Sequence, residues 1–367
     1  MPTPPLSDEK CQEALDAFNE HGSETEAAKA LGIARGTFQA RLRVARLRQS
    51  NMVVTGRSTL RNAEGEVVME WEKTSLDREA EEQARKAAFE ALAAKLPREA
   101  PRAAPAIANA DLCTLYTLTD AHIGMLAWHR EGGQDWDLQI AERVIVGCFA
   151  EAIRSAPDAE LAIFNQLGDA LHHDGLQAVT PTSGHILDAD GRFTKIVETA
   201  VRIMRRIIGM LLEKHPRVHV IMAEGNHDLA SSVWLRTMFK ALYGNEPRVT
   251  VEDSALPYYC YQHGQTMLAF HHSHLKKLDQ LRGHIAAQFP VIWGATTKRY
   301  IHTGDKHHSA EKDELGAKLI QHPTLAARDA YAARGGWHSE RYMSAITYSA
   351  RFGEVGRVTV SPDMLAA

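Results

Sequence analysis

Val218-His219-Val220-Ile221-Met222 leads through Ala223 and Glu224 into Gly225-Asn226-His227-Asp228. The apolar, β-branched run reads as a buried strand. A strand that ends this way sets special residues at the carboxyl edge of a sheet, where α/β proteins place their sites. Asn226 offers a neutral amide oxygen to a metal. His227 offers a proton near neutral pH, and Asp228 is positioned in sequence to orient it. A polar turn after a strand is common, so the tetrad gains its meaning from similar strand ends elsewhere.

Four other runs end in the same way. Leu115-Tyr116-Thr117-Leu118-Thr119 leads to Asp120-Ala121-His122, and Leu161-Ala162-Ile163-Phe164 leads to Gly168-Asp169. Met267-Leu268-Ala269-Phe270 leads to His271-His272-Ser273-His274, and Arg299-Tyr300-Ile301-His302 leads to Gly304-Asp305-Lys306-His307-His308. Between these runs, helical patterns fall near 137–155, 192–214, 230–243 and 275–288. A further helical segment is expected near 323–334, followed by strands near 344–350 and 356–361. Strands alternating with helices predict an α/β core.

At 367 residues the chain can hold one large core and a small accessory domain. A net charge of −4 argues against a wholly basic nucleic-acid coat. Cys11, Cys113, Cys148 and Cys260 are scattered, which suits a reducing cytoplasm and neither a zinc ribbon nor a disulfide framework. Residues 1–10 lack the apolar core of a signal peptide. No run approaches the ~20 apolar residues that span a bilayer. A cytoplasmic protein with no membrane partner is expected.

Residues 1–50 read as a small all-α domain. Ser7 caps a first helix, Ala27, Ala28 and Leu31 mark a second, and Gly32 breaks it before a third from about 35 to 48. Ala28, Gly32 and Phe38 keep helix-turn-helix spacing. The third helix carries Arg35, Arg41, Arg43, Arg46 and Arg48 and no acid. These cations suit phosphates, and Thr37 and Gln39 suit base edges. A small helical interaction domain with a solvated Arg face is the alternative. Residues 22–46 resemble the helix-turn-helix of resolvase-like and Fis-like DNA-binding proteins. Residues 51–110 read as a β-hairpin over 52–74, a charged helix over 76–96, and a linker marked by Pro97, Pro101 and Pro105. The third domain then spans 111–367.

The five strand-end motifs in this order resemble the calcineurin-like metallophosphoesterase superfamily, over about residues 112 to 310. Its pattern runs Asp-x-His, Gly-Asp, Gly-Asn-His-Asp/Glu, His, Gly-His-x-His. This chain has Asp120-x-His122, Gly168-Asp169, Gly225-Asn226-His227-Asp228, His272 and Gly304-Asp305-x-His307. The resemblance implies a four-layer α/β/β/α sandwich. It implies two divalent metal ions, with Asp120, His122, Asp169 and His307 at one and Asp169, Asn226, His272 and the 305 position at the other. Asp169 would bridge, and His227 would protonate the leaving oxygen with Asp228 orienting its ring. Oxygen and imidazole ligands without thiolates favour Mn²⁺, with Fe²⁺, Zn²⁺ or Ni²⁺ as alternatives.

Asp305 stands where the family has His. As a ligand it would add negative charge and favour harder ions; otherwise it points away and the second site is weak. Among His271, His272 and His274, alternation puts His272 and His274 on one face, and His272 is the better ligand. His172 and His173 are neighbours of the ligands or face substrate, or else are plain surface residues.

Helix-turn-helix, short β segment and catalytic domain together look like phage- or prophage-encoded proteins similar to DNA repair exonucleases. The expectation is a dinuclear-metal phosphodiesterase acting on DNA through a metal-activated hydroxide. The alternatives are a small-molecule or protein phosphoesterase with an N-terminal assembly domain, and a DNA-binding adaptor with a weakened metal site. A homodimer is compatible with all three.

Overall fold

The computed structural model describes residues 7–49, 52–61, 67–76, 98–106, 108–181 and 183–365. The charged helix expected over 76–96 lies outside them except for Leu76, which ends a strand. The chain divides into two compact units, Met1–Ala88 and Phe89–Ala367.

The first unit holds three helices, α1 (Asp8–His21), α2 (Glu24–Ala30) and α3 (Arg35–Gln49), and a hairpin of β1 (Met52–Arg61) and β2 (Val67–Leu76). Ser7 starts α1 by accepting from the Lys10 N–H, satisfying one free donor of the first turn. Gly22 ends α1 in the left-handed conformation, and Gly32 takes the same conformation after α2. Ala14, Ala27, Ala28, Phe38 and Leu42 form the small core where the helices meet. The strands pair antiparallel, from Met52 opposite Leu76 to Arg61 opposite Val67.

The second unit is built on two sheets. One has six strands: β3 (Asn109–Leu118), β4 (Ala159–Leu167), β5 (Arg217–Ala223), β6 (Val249–Val251), β12 (Met343–Ser349) and β13 (Gly353–Val360). Its order is β13-β12-β3-β4-β5-β6, parallel from β3 to β6 and antiparallel at β12 and β13. The other has five: β7 (Tyr259–His263), β8 (Thr266–Phe270), β9 (Lys298–Thr303), β10 (Ala310–Glu314) and β11 (Ala317–Gln321), in the order β10-β11-β9-β8-β7. Strands β8, β9 and β11 run parallel.

Alternation along each strand assigns the layers. Leu115, Leu161, Ile163 and Ile221 of the first sheet meet Tyr259, Leu268, Phe270 and Ile320 of the second in one cluster. Tyr116, Ala162, Phe164, Val220 and Met222 point the other way. They pack under α4 (Leu138–Ser155), α5 (Phe193–Lys214) and α6 (Leu229–Leu242). On the outer face of the second sheet, Met267, Ala269 and Ile301 lie under α7 (Leu278–Gln288) and α8 (Pro290–Ala295). The result is the expected four-layer α/β/β/α sandwich. Its central strands are apolar on both sides, as strands covered by helices must be.

Residues 98–106, read as linker, lie along this unit. The Glu99 N–H donates to the Leu242 carbonyl, the Arg102 N–H donates to Glu246, and the Arg248 guanidinium donates to the Arg102 and Ala103 carbonyls. Among the described residues, no helix is long and apolar enough to cross a membrane.

Candidate metal centre

The five strand-end motifs converge at the carboxyl ends of the parallel strands. Asp120 and His122 follow β3, Asp169 follows β4, Asn226 to Asp228 follow β5, His272 follows β8, and Asp305 and His307 follow β9. Asp120, His122, Asp169, Asp305 and His307 all have positive φ, between 41° and 70°. Non-glycine residues there cost of order 1–3 kcal/mol each and persist at functional sites. Two glycines make room for the cluster. A Cβ at Gly225 would overlap the Asp169 carboxylate, and one at Gly304 would come within 2.9 Å of Asp120 Oδ2.

Ligand-type atoms of Asp120, His122 and His307 lie within 4.8 Å of one another, and so do those of Asp120, Asp169 and His272. His307 Nε2 is 3.3 Å from Asp120 Oδ1 and 3.2 Å from His122 Nε2. His272 Nε2 is 3.3 Å from Asp169 Oδ2 and 3.9 Å from Asp120 Oδ1. Asp120 is thus common to both trios, and Asp169 lies beside His272 in the second. Asp120, Asp169 and His272 are essentially inaccessible to solvent.

Asp120 Oδ1, Asn226 Oδ1 and His272 Nε2 are buried with no hydrogen-bond partner. Unpaired buried polar atoms are costly, and here they are oxygen and imidazole lone-pair donors gathered in one place. Such a donor set fits divalent cations. The protein braces it from behind. His272 Nδ1 donates to the Leu167 carbonyl, the Thr119 hydroxyl donates to Asp120 Oδ2, and the Asp305 N–H donates to the same oxygen.

The electrostatics follow. Burial alone would raise the Asp169 carboxyl; His272 beside it outweighs burial and holds it well below the carboxylate range. Burial opposes protonation of His272, yet Asp169 and Asp120 push it up to about 10. Burial and the neighbouring His227 and His307 hold His122 well below the ordinary value.

His227 Nδ1 donates to the His172 carbonyl at 2.7 Å, leaving Nε2 as the free nitrogen, and its N–H donates to Asp169 Oδ1. The expectation that Asp228 orients this ring is corrected. The Asp228 carboxylate instead accepts from the N–H groups of Gly225, Asp169, Ala170 and Leu171. It ties the β4 turn to the β5 turn. Its burial, with Asp169 and Asp174 nearby, pushes its carboxyl up to about 8, and the four N–H donors oppose that rise.

Asp305 sits beside the cluster. Its carboxylate is 2.7 Å from Lys306 Nζ and belongs to neither trio. His271 turns into the fold, donating to the Pro257 carbonyl and stacking on Tyr258. His172 touches His122, Nδ1 to Nδ1 at 3.4 Å, and His173 donates to the Gly175 carbonyl. Thr119 and Thr324 escaped the reading of the sequence. Thr119 is adjacent to Asp120, a local signal; Thr324 donates to the Asp120 carbonyl from 204 residues away, and nothing local marks it.

In the first unit, Thr37 and Arg35 are exposed on α3 and Arg41 is half-buried. Gln39 Nε2 donates to Glu24 at 2.8 Å, and Arg35 is 4.0 Å from the same carboxylate. The side chains of Arg43 and Arg46 lie outside the described residues.

No protein-family model and no curated protein matches the chain. Solved structures do. The phosphoesterase Yfce from E. coli is 13% identical, over 67% of this chain and 98% of its own, with a TM-score of 0.33. A predicted phosphoesterase from Streptococcus pneumoniae is 11% identical, over 69% and 91%, at 0.31. Vps29 from Entamoeba histolytica, complexed with Zn²⁺, is 11% identical, over 68% and 99%, at 0.29. Overlaps of this extent add no weight to the fold, which stands on the strand pairing and layers above.

Proposed function

We propose that the chain is a divalent-metal-dependent phosphodiesterase whose substrate is DNA. The observation that carries this is the pair of trios sharing Asp120, whose five residues stand at four strand ends, four of them in the left-handed conformation. Two cations bound there would polarise a phosphoryl oxygen and lower the pKa of a water at neutral pH. Asp120, His122 and His307 would hold one cation; Asp120, Asp169, Asn226 and His272 would hold the other, with Asp305 at its edge. Mn²⁺ suits this donor set.

The remaining work falls to protein groups. His227, its Nδ1 occupied by the His172 carbonyl, presents Nε2 to the leaving oxygen and can deliver a proton there. Asp228 keeps the β4 and β5 turns in register, so that Asp169 and His227 stay in contact. DNA is preferred over a small ester because α3 concentrates arginines, with Thr37 and Gln39 as reading side chains. The Gln39–Glu24 bond favours the second reading, in which these helices serve assembly.

The test is hydrolysis of end-labelled single- and double-stranded DNA with Mn²⁺, beside bis-p-nitrophenyl phosphate. Turnover of the small diester with no cleavage of DNA supports the second reading. No turnover of either, with Mn²⁺ bound, rejects both.

A further inference from the structure

His172 touches two working histidines of the centre, His122 with its ring and His227 with its main chain. We propose that His172 is a positioning residue for both. Its ring fixes His122 in the tautomer that aims a lone pair at the first cation, and its carbonyl fixes His227 in the tautomer that keeps Nε2 for the leaving oxygen. This rests on the metallophosphodiesterase reading and deepens it.

Two nitrogens and two partners decide what the ring does. His172 is buried, and its Nδ1 is hydrogen-bonded to His122 Nδ1 at 3.4 Å. One nitrogen of that pair donates and the other accepts. The Asp188 carbonyl is the other hydrogen-bond partner of the His172 ring, and a carbonyl only accepts. The His172 proton therefore sits on Nε2, and its Nδ1 accepts from His122. With its own proton on Nδ1, His122 presents a lone pair at Nε2, the nitrogen 3.2 Å from His307 Nε2 in the first trio. The partner of one imidazole nitrogen sets what the other can bind, and this is how ligating histidines are usually oriented.

The backbone places His172 for both tasks. The Ile123 N–H donates to the Ala170 carbonyl and the His172 N–H donates to the Ile123 carbonyl, lacing the turn after β3 to the turn after β4. His172 then meets His122 edge-on, with ring centroids 5.4 Å apart, and stacks on His227 at 5.8 Å. By spacing alone the three rings could hold a cation of their own. Nδ1 of all three is already engaged, however, and His122 Nε2 belongs to the first trio. His172 Nε2 faces Asp188, so His227 Nε2 is the one lone pair left, too few for a third ion.

Nitrogen-15 spectra of the full chain with labelled histidine, taken in EDTA, read the tautomers, and calorimetry with Mn²⁺ reads their consequence. The His122 signal is identified by its loss in His122→Gln. In the wild type, His122 and His227 should both carry the proton on Nδ1. His172→Phe keeps a ring and removes both nitrogens. His122 should then lose its preference for Nδ1–H, and one Mn²⁺ equivalent should weaken by about 10–100-fold while the other changes little. His172→Asn, whose Oδ1 stands near the place of Nδ1, should restore the tautomer and most of the affinity. His227 should stay protonated on Nδ1 in both variants, because the carbonyl at 172 remains. His172→Leu replaces the phenylalanine variant if thermal melting in EDTA shows that it has not folded.

A wild type with either histidine protonated on Nε2 alone overturns the proposal. So do unchanged Mn²⁺ binding in a folded phenylalanine or leucine variant, equal weakening in His172→Asn, and a third Mn²⁺ equivalent. A wild type that binds no Mn²⁺ overturns both this proposal and the function above. One that shows these tautomers, binds two equivalents and hydrolyses no phosphodiester overturns only the function.

Discussion

Asp120, His122, Asp169, Asp305 and His307 adopt a backbone conformation that ordinary side chains avoid, and each stands two to four residues beyond a strand. The surrounding contacts hold it: the Asp120 N–H donates to the Gly168 carbonyl and the His122 N–H to the Asp169 carbonyl. Gly225→Ala should therefore damage the site without touching a ligand, because its Cβ would overlap the Asp169 carboxylate. We expect a tenfold or greater loss of Mn²⁺ affinity and a fall in melting temperature, measured by calorimetry and thermal unfolding. Wild-type affinity would show that the two turns can separate freely. Asp169→Asn should lower turnover of bis-p-nitrophenyl phosphate by at least ~10³-fold and reduce bound metal, since it removes the anionic charge that stands 3.3 Å from His272 Nε2. The candidate ligand residues were legible because each closely follows an apolar run. The task of Asp228 was not: its N–H partners at 169, 170 and 171 come from a turn more than fifty residues away, which only the parallel pairing of β4 and β5 brings close.

Elements with apolar faces on both sides, or one strong stripe, were read within a residue or two: 137–155 became α4, 192–214 became α5 and 344–350 became β12. The hairpin of β10 and β11 was missed because β10, Ala-Glu-Lys-Asp-Glu, is an exposed edge strand whose charges read as loop. Of the segment near 323–334, only Ala330–Arg334 is helical; Thr324 and Leu325 are drawn instead against the β3 turn and core. The joint between α5 and β5 carries a pH dependence. His215 donates from Nδ1 to the Ala159 carbonyl and meets Tyr116 Oη at Nε2, and burial lowers it to about 4. Its unfolded value is about 6.5. A histidine depressed by folding contributes its stability above the unfolded value and loses it as pH falls through the folded one. His215 thus accounts for up to about 3 kcal/mol of stability lost between about pH 6.5 and 4. Urea unfolding across that window should show a shallower acid loss in His215→Gln than in wild type; parallel curves would place the acid sensitivity elsewhere.

At the scale of the molecule, every candidate ligand lies beyond Phe89, and the arginine-rich helix lies before Ala88. The chemistry and the proposed DNA contact therefore belong to different compact units, and one deletion can separate them. A fragment of residues 89–367 retains both trios, both sheets and the Glu99 and Arg102 contacts that hold the chain along the larger unit. It should hydrolyse bis-p-nitrophenyl phosphate within about threefold of the full chain, because no group at the metal centre is removed. DNA affinity should fall at least tenfold, and the loss should be the salt-dependent part. Each phosphate contact contributes about 0.9 to the slope of log affinity against log salt on duplex DNA. Loss of Arg35, Arg41, Arg43 and Arg46 should flatten that slope by about 3 to 4 if all of them meet phosphates. Anisotropy titrations with a labelled duplex, between low and physiological salt, measure both quantities. If the fragment keeps the affinity and slope of the full chain, DNA is held by the catalytic unit and the helices serve assembly. A slope change with unaltered cleavage at low salt would instead limit the helices to recruitment.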